Sequence, residues 1–173
     1  PIFGDYPEGA PCPGPQCPPL EMITDWVEQA QAHVQASRPV WGDIQFFKPT
    51  TKSHWPTYEE LRSMSWMAIV AGAKGLIYWS YGAGALAYVK DPVLREEYWQ
   101  RLVRVSKEIK QYEAVLLDGL PVLPPEPLPD GVRGRAYSHG GATYLFSVNQ
   151  TPHPVGDWPP YGTRICVWRK ECR

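Results

Sequence analysis

Two short apolar runs, VWGDIQFF at residues 40–47 and GLIYWSYG at 75–82, are each followed by a segment of helical period, and this order restricts the fold more than any other feature. Runs of this length, rich in β-branched and aromatic residues and closed by stop signals such as Lys48-Pro49, read as buried strands. Strands that alternate with helices pair in parallel, since a parallel neighbour is reached only by a long crossover, and nearly all such crossovers are right-handed. Both faces of a parallel sheet are normally covered, which accounts for runs that are apolar along their length. The expectation is therefore a pair of adjacent parallel strands, 40–47 and 75–81, joined by a helix over 57–73.

The rest of the chain fits around that unit. Residues 1–19 hold seven prolines and three glycines, which forbid helix and central strand and predict an irregular loop. Met22, Ile23, Trp26, Val27, Ala30 and Val34 recur at helical spacing, giving an amphipathic helix over 20–37 that stops before Arg38-Pro39. Pro56-Thr57-Tyr58-Glu59-Glu60 opens the next helix with a capping box, and that helix is apolar on most sides, as a sandwiched element would be. Asp91-Pro92 caps a long helix reaching about residue 117. Five prolines within 118–131 predict an extended linker. Beyond it, GRAYS and TYLFSVN flank His139-Gly140-Gly141-Ala142, a hairpin signal, whereas 151–173 shows no clear period. The organisation expected is thus 1–117 as a βα body, 118–131 as linker, and 132–173 as a β-rich segment with an irregular tail.

Composition removes several partners. A net charge of −1 over 173 residues leaves no basic footprint for nucleic acid and no charged surface for an anionic membrane. No apolar run approaches the roughly 20 residues that span a bilayer, and no charged-then-apolar leader opens the chain, so a soluble protein is expected, secreted or cytoplasmic. Cys12/Cys17 and Cys166/Cys172 lack CxxC spacing and the four histidines are scattered, so neither a metal site nor a cofactor is expected. Free thiols and local disulfides both remain open. Eight Trp and ten Tyr supply flat rings of the kind that stack on sugars, although such rings also fill cores.

The run RPVWGDIQFFKP, then HWPTYEELRSMSWMAIVAGAKGLIYWSYG, then a long helix and a linker into GGATYLFSVN, resembles the end of the retaining glycoside hydrolase superfamily built on TIM barrels. The cellulase- and β-galactosidase-like members with a small β-sandwich after the barrel are the nearest in pattern. The resemblance implies an α/β fold, a partial (β/α)₈ barrel followed by a hairpin or sandwich segment. In it, GDYP marks the loop leaving barrel strand six, VWGDIQFF strand seven and GLIYWSYG strand eight. A whole barrel takes about 250 residues, so 173 residues that include a hairpin do not close one alone; the strand at 40–47 is expected to present an open parallel edge, and a homo-oligomer is expected to cover it.

Active sites of such barrels lie at the carboxyl ends of the strands. Alternation puts Trp41, Asp43 and Gln45 on one face of their strand, and the polar pair is expected to face the barrel axis. The resemblance implies a nucleophilic Glu at the end of strand seven; Gln45 stands there instead, and an amide cannot serve as that carboxylate. Asp43 and Asp5, the latter in the strand-six exit loop, are the candidate catalytic carboxylates. Glu59 and Glu60 are assigned to helix capping. Trp79 corresponds to the superfamily's aromatic floor of the sugar subsite, with a Trp79–Ser80 step that is often cis in the superfamily. Gln45, Tyr81 and Tyr6 join it as candidate substrate-binding residues. Three functions follow: hydrolysis of β-linked glycans, carbohydrate binding without catalysis, or a truncated barrel whose open edges drive association.

Overall fold

The computed structural model describes residues 2–3, 20, 22–35, 37–48, 54–82 and 85–169, with only the backbone described at Ile2, Phe3 and Arg169. The elements in chain order are β1 (Ile2–Phe3), α1 (Met22–His33), β2 (Trp41–Gln45), α2 (Tyr58–Ala71), β3 (Gly75–Trp79), α3 (Pro92–Gln111), α4 (Glu113–Asp118), β4 (Leu120–Val122), β5 (Val132–His139), β6 (Ala142–Asn149) and β7 (Thr163–Arg169). A 3₁₀ turn, Leu86–Tyr88, lies between β3 and α3.

The first three strands form a parallel sheet in the order β1-β2-β3. Three expectations are corrected here. Residues 1–19 are not wholly irregular, because Ile2 and Phe3 pair with Trp41 and Gly42; a two-residue strand is too short to show a period. Consequently the strand at 40–47 is central rather than an open edge, and among the described residues it is β3 that pairs on one side only. For the same reason β3 is not a buried strand. Its residues are partly exposed and its last is open to solvent, as an edge strand's side chains are.

Helix α2 is the layer shared by both sheets. Its start carries the predicted capping box, with Thr57 Oγ1 accepting from Glu60 N and the Glu60 carboxylate accepting from Thr57 N at 2.7 Å. One side of α2 meets the parallel sheet, where a Cβ on Gly42 would lie 3.1 Å from Ala68 Cβ. The other side carries the fully buried Trp66, stacked on Phe146 of β6 at 5.1 Å between ring centroids. That double burial is the physical reason for a helix apolar on nearly all sides. At its C-terminus Gly72 takes the left-handed φ of 105°, a conformation open to glycine at little steric cost. The end carbonyl of Ala71 accepts from Gln31 of α1 at 3.2 Å and from Arg135 of β5 at 3.3 Å, so the helix terminus ties α1 to the antiparallel sheet.

The helix expected to run to about residue 117 breaks at Tyr112, which leaves helical geometry while its ring packs edge-on against Trp66 and Phe146. The tie between α2 and α3 is a two-pronged ion pair: Arg62 Nε donates to Glu108 Oε2 at 2.8 Å and Nη2 to Oε1 at 2.6 Å, with Nη1 on the Thr163 carbonyl of β7. Burial opposes the Arg62 charge, yet the Glu108 contacts outweigh it and raise the guanidinium above its usual pKa.

The second sheet is antiparallel in the order β4-β5-β6-β7. The β5–β6 hairpin turns at Gly140 and Gly141, with φ of 56° and 76°, the double positive-φ turn that matches strand twist. The segment 118–131 is not purely a linker, since Leu120–Val122 pairs with Ala136–Ser138. Pro121 is tolerated there because β4 is an edge strand. The tail is likewise more ordered than its sequence suggests. Asn149 folds 151–162 back on itself, donating to the His153 and Pro159 carbonyls at 2.7 and 2.9 Å, and β7 follows along β6.

Candidate functional site at the carboxyl ends of β2 and β3

The register Asp43↔Ile77 and Gln45↔Trp79, combined with strand alternation, gathers Trp41, Asp43, Gln45, Gly75, Ile77 and Trp79 on one face of the parallel sheet. Gly42, Ile44, Leu76 and Tyr78 turn the other way, toward α2. The indole of Trp41 lies so close over Gly75 that a Cβ there would sit 2.8 Å from the ring. Trp41 and Trp79 remain 44% and 53% exposed, so this face presents two indoles to solvent. The Trp79 carbonyl accepts from Phe46 N at 2.6 Å, which holds the two strand ends in step. The Trp79–Ser80 peptide is cis.

Gln45 departs from the expected arrangement. Its side chain is fully buried and its Nε2 donates to the Phe47 carbonyl at 3.0 Å. Asp43 is partly buried, between Trp41 and Gln45 along the same face. Tyr81, two residues beyond Trp79, is 61% exposed, with its ring edge-on to Trp99 of α3 at 5.9 Å. Asp5 and Tyr6 lie outside the described residues. The Glu60 carboxylate is engaged by the helix cap and by His54 Nε2 at 2.9 Å, in keeping with its assignment to capping.

On the opposite face Tyr78 shares a hydrogen bond with Ser65 Oγ at 2.9 Å. Burial pushes its phenol up to about 12, against the contrary pull of Ser65, so it stays neutral at any physiological pH. An apolar cleft of about 280 Å³, lined by Ile69, Lys74, Leu76, Ile109 and Leu116 among others, opens at the amino end of β3. It sits at the far end of the strand from Trp79, and the carboxylate on its lining, Glu113, is engaged by Lys110 at 3.1 Å. The sequence pattern does not single out Trp99, because the apolar stripe of its helix runs through Leu94, Tyr98 and Leu102. A Trp one position off that stripe is the signal that marks it.

No protein-family model and no curated protein matches the chain. Among solved structures, the ligand-free form of cyclic α-maltosyl-(1→6)-maltose hydrolase from Arthrobacter globiformis is similar at 12% identity, with a TM-score of 0.49. The match covers 86% of this chain and 43% of that one, so this chain spans less than half the length of that hydrolase. A likeness at this level carries no argument about reaction or substrate. It lends no support to the cellulase-like grouping or to β-linkage. What the structure defines by itself is a mixed α/β chain of parallel βα units followed by an antiparallel sheet.

Proposed function

We propose that this chain handles carbohydrate at the carboxyl ends of β2 and β3, as a glycoside-hydrolase-like protein acting on O-glycosyl bonds. The observation that carries the reading is Trp79, a large ring 53% exposed at the end of a parallel strand and in register with Gln45. Sites in α/β sheets form outside the carboxyl ends of the strands, and an exposed indole offers the flat apolar face on which a pyranose stacks. In this reading β1, β2 and β3 are the sixth, seventh and eighth strands of a (β/α)₈ barrel. The exposed Trp41 and Trp79 face its axis. Among the described residues β3 is paired on one side only, and since an unpaired parallel edge invites pairing, in this reading that edge meets another copy in a homo-oligomer. A monomer by sedimentation at micromolar concentration contradicts the oligomer.

Glycoside hydrolysis uses two carboxylates flanking the scissile bond. Asp43 and Asp5 fill those roles in this reading. Freshly purified protein should release a chromogenic aglycone from one of a panel of β-linked and α-linked glycosides, and Asp43→Asn should abolish that release. Release unaffected by Asp43→Asn and Asp5→Asn removes both carboxylates from the mechanism. One observation favours carbohydrate binding without catalysis: Gln45, an amide, is buried where the resembled superfamily has its carboxylate nucleophile. Binding of oligosaccharide with no aglycone release selects that second reading.

A further inference from the structure

The chain that leaves β3 builds a second aromatic surface with α3. Leu86 N donates to the Ser80 carbonyl at 3.4 Å and Ala87 N to the Tyr81 carbonyl at 2.7 Å, which folds the 3₁₀ turn back under Tyr81. The buried Leu86 side chain forms the floor. Across from it, Asp91 accepts from Val93 N and Leu94 N at 2.8 and 3.3 Å and fixes the start of α3. Arg95 and Trp99, one helical turn apart, therefore project on the same side of that helix. The result is a cleft of about 510 Å³ bounded by Tyr81, Leu86, Arg95, Glu96 and Trp99.

Its chemistry is divided in a particular way. Tyr81 and Trp99 meet edge to face with an interplanar angle of 77°, and both stay open to solvent, Trp99 at 39%. Two touching rings that both keep open surface leave an apolar face to which a ligand has access. Beside the rings stand the Arg95 guanidinium, a fork of N–H donors, and the Glu96 carboxylate, an acceptor that Gln100 Nε2 already positions at 2.7 Å. Ring faces flanked by a donor fork and an acceptor match a pyranose, which has an apolar face of C–H groups and a rim of hydroxyls. Tyr81 follows Trp79 by two residues at the exit of β3, so the chain itself links the Trp79 strand end to the lining of this cleft.

We propose that the Tyr81–Trp99 cleft is a second sugar subsite, which binds further units of an oligosaccharide whose first unit stacks on Trp79. This rests on the carbohydrate reading of Trp79 given above. Ring stacking supplies the affinity, and Arg95 and Glu96 orient the hydroxyls. Short ligands that occupy only the Trp79 platform do not reach it.

Calorimetric titration of the full chain with cellobiose and cellohexaose, and with maltose and maltohexaose, tests the assignment. Trp99→Ala should weaken binding of the hexasaccharide about tenfold while leaving the disaccharide unchanged, and Tyr81→Ala should likewise weaken the hexasaccharide. Trp79→Ala should weaken both lengths. Thermal melts of the two cleft variants verify that each is folded, and because both rings are exposed one variant suffices if the other is unstable. Hexasaccharide affinity unchanged in Trp99→Ala and Tyr81→Ala, with Trp79→Ala still deleterious, overturns the cleft and leaves the platform standing. Failure of the unsubstituted protein to bind any of the four probes overturns the platform, and the cleft with it. A change in sedimentation of Trp99→Ala without a change in glycan affinity makes the cleft a protein contact and also overturns the assignment.

Discussion

Replacing Gln45 by glutamate would put a carboxylate at the end of β2, and the structure predicts a loss of stability. The side chain is fully buried, and its Nε2 donates to the Phe47 carbonyl at 3.0 Å. An ionised carboxylate cannot donate, so the substitution removes that hydrogen bond and turns a negative oxygen toward a carbonyl; loss of a buried hydrogen-bond donor costs about 1–3 kcal/mol. Burial also disfavours the charged form and raises the carboxyl's pKa in the folded state. A folded pKa above the unfolded value means that the penalty is smallest below the unfolded pKa of about 4.3, grows as pH rises from there, and levels off once the folded pKa is passed. Each tenfold change in the ionisation equilibrium is worth about 1.4 kcal/mol, so the penalty at neutral pH grows with the extent to which burial raises the carboxyl. Urea unfolding of both proteins between pH 4 and 8 measures it. The gap should be narrow at the acid end, where the protonated carboxyl can donate as the amide does, and should widen toward neutrality. A gap constant across that range would mean that the position is solvated, and would refute the buried arrangement.

The remaining predictions concern the ties between layers. Trp66→Ala deletes the ring that joins α2 to Phe146 and should cost about 3–5 kcal/mol, read from chemical denaturation. A loss under about 1 kcal/mol, the size of a typical surface substitution, would mean that α2 is not the shared layer. Glu108→Gln leaves Arg62 without its carboxylate partner; because the pair retains some exposure, the cost should be about 1–3 kcal/mol, and it should shrink in high salt if Coulombic attraction carries it.

The order of elements was legible because period, stop signals and caps agree: Thr57 with Glu60, Asp91 with Pro92, and Gly140-Gly141 each appear in the structure where the sequence puts them. Three strands were hidden for distinct reasons. β1 is two residues long, β4 passes through Pro121 at a sheet edge, and β7 follows a stretch whose order comes from Asn149 reaching across ten residues to Pro159, a contact that no local pattern encodes. Alternation also located Trp79 opposite Gln45. It could not say that Gln45 bends back to its own chain at Phe47, because that depends on the path after the strand. Tyr81 with Trp99 joins a loop to a helix face, and such pairs emerge only from tertiary packing.

The central claim is that Trp79 forms a sugar platform, and calorimetric titration of oligosaccharide into the unsubstituted protein and Trp79→Ala tests it most directly. Removal of a stacked indole should weaken binding by roughly 1–3 kcal/mol, about fivefold to 150-fold, with little change in melting temperature because the ring is 53% exposed. Equal affinity in the two proteins would contradict the account.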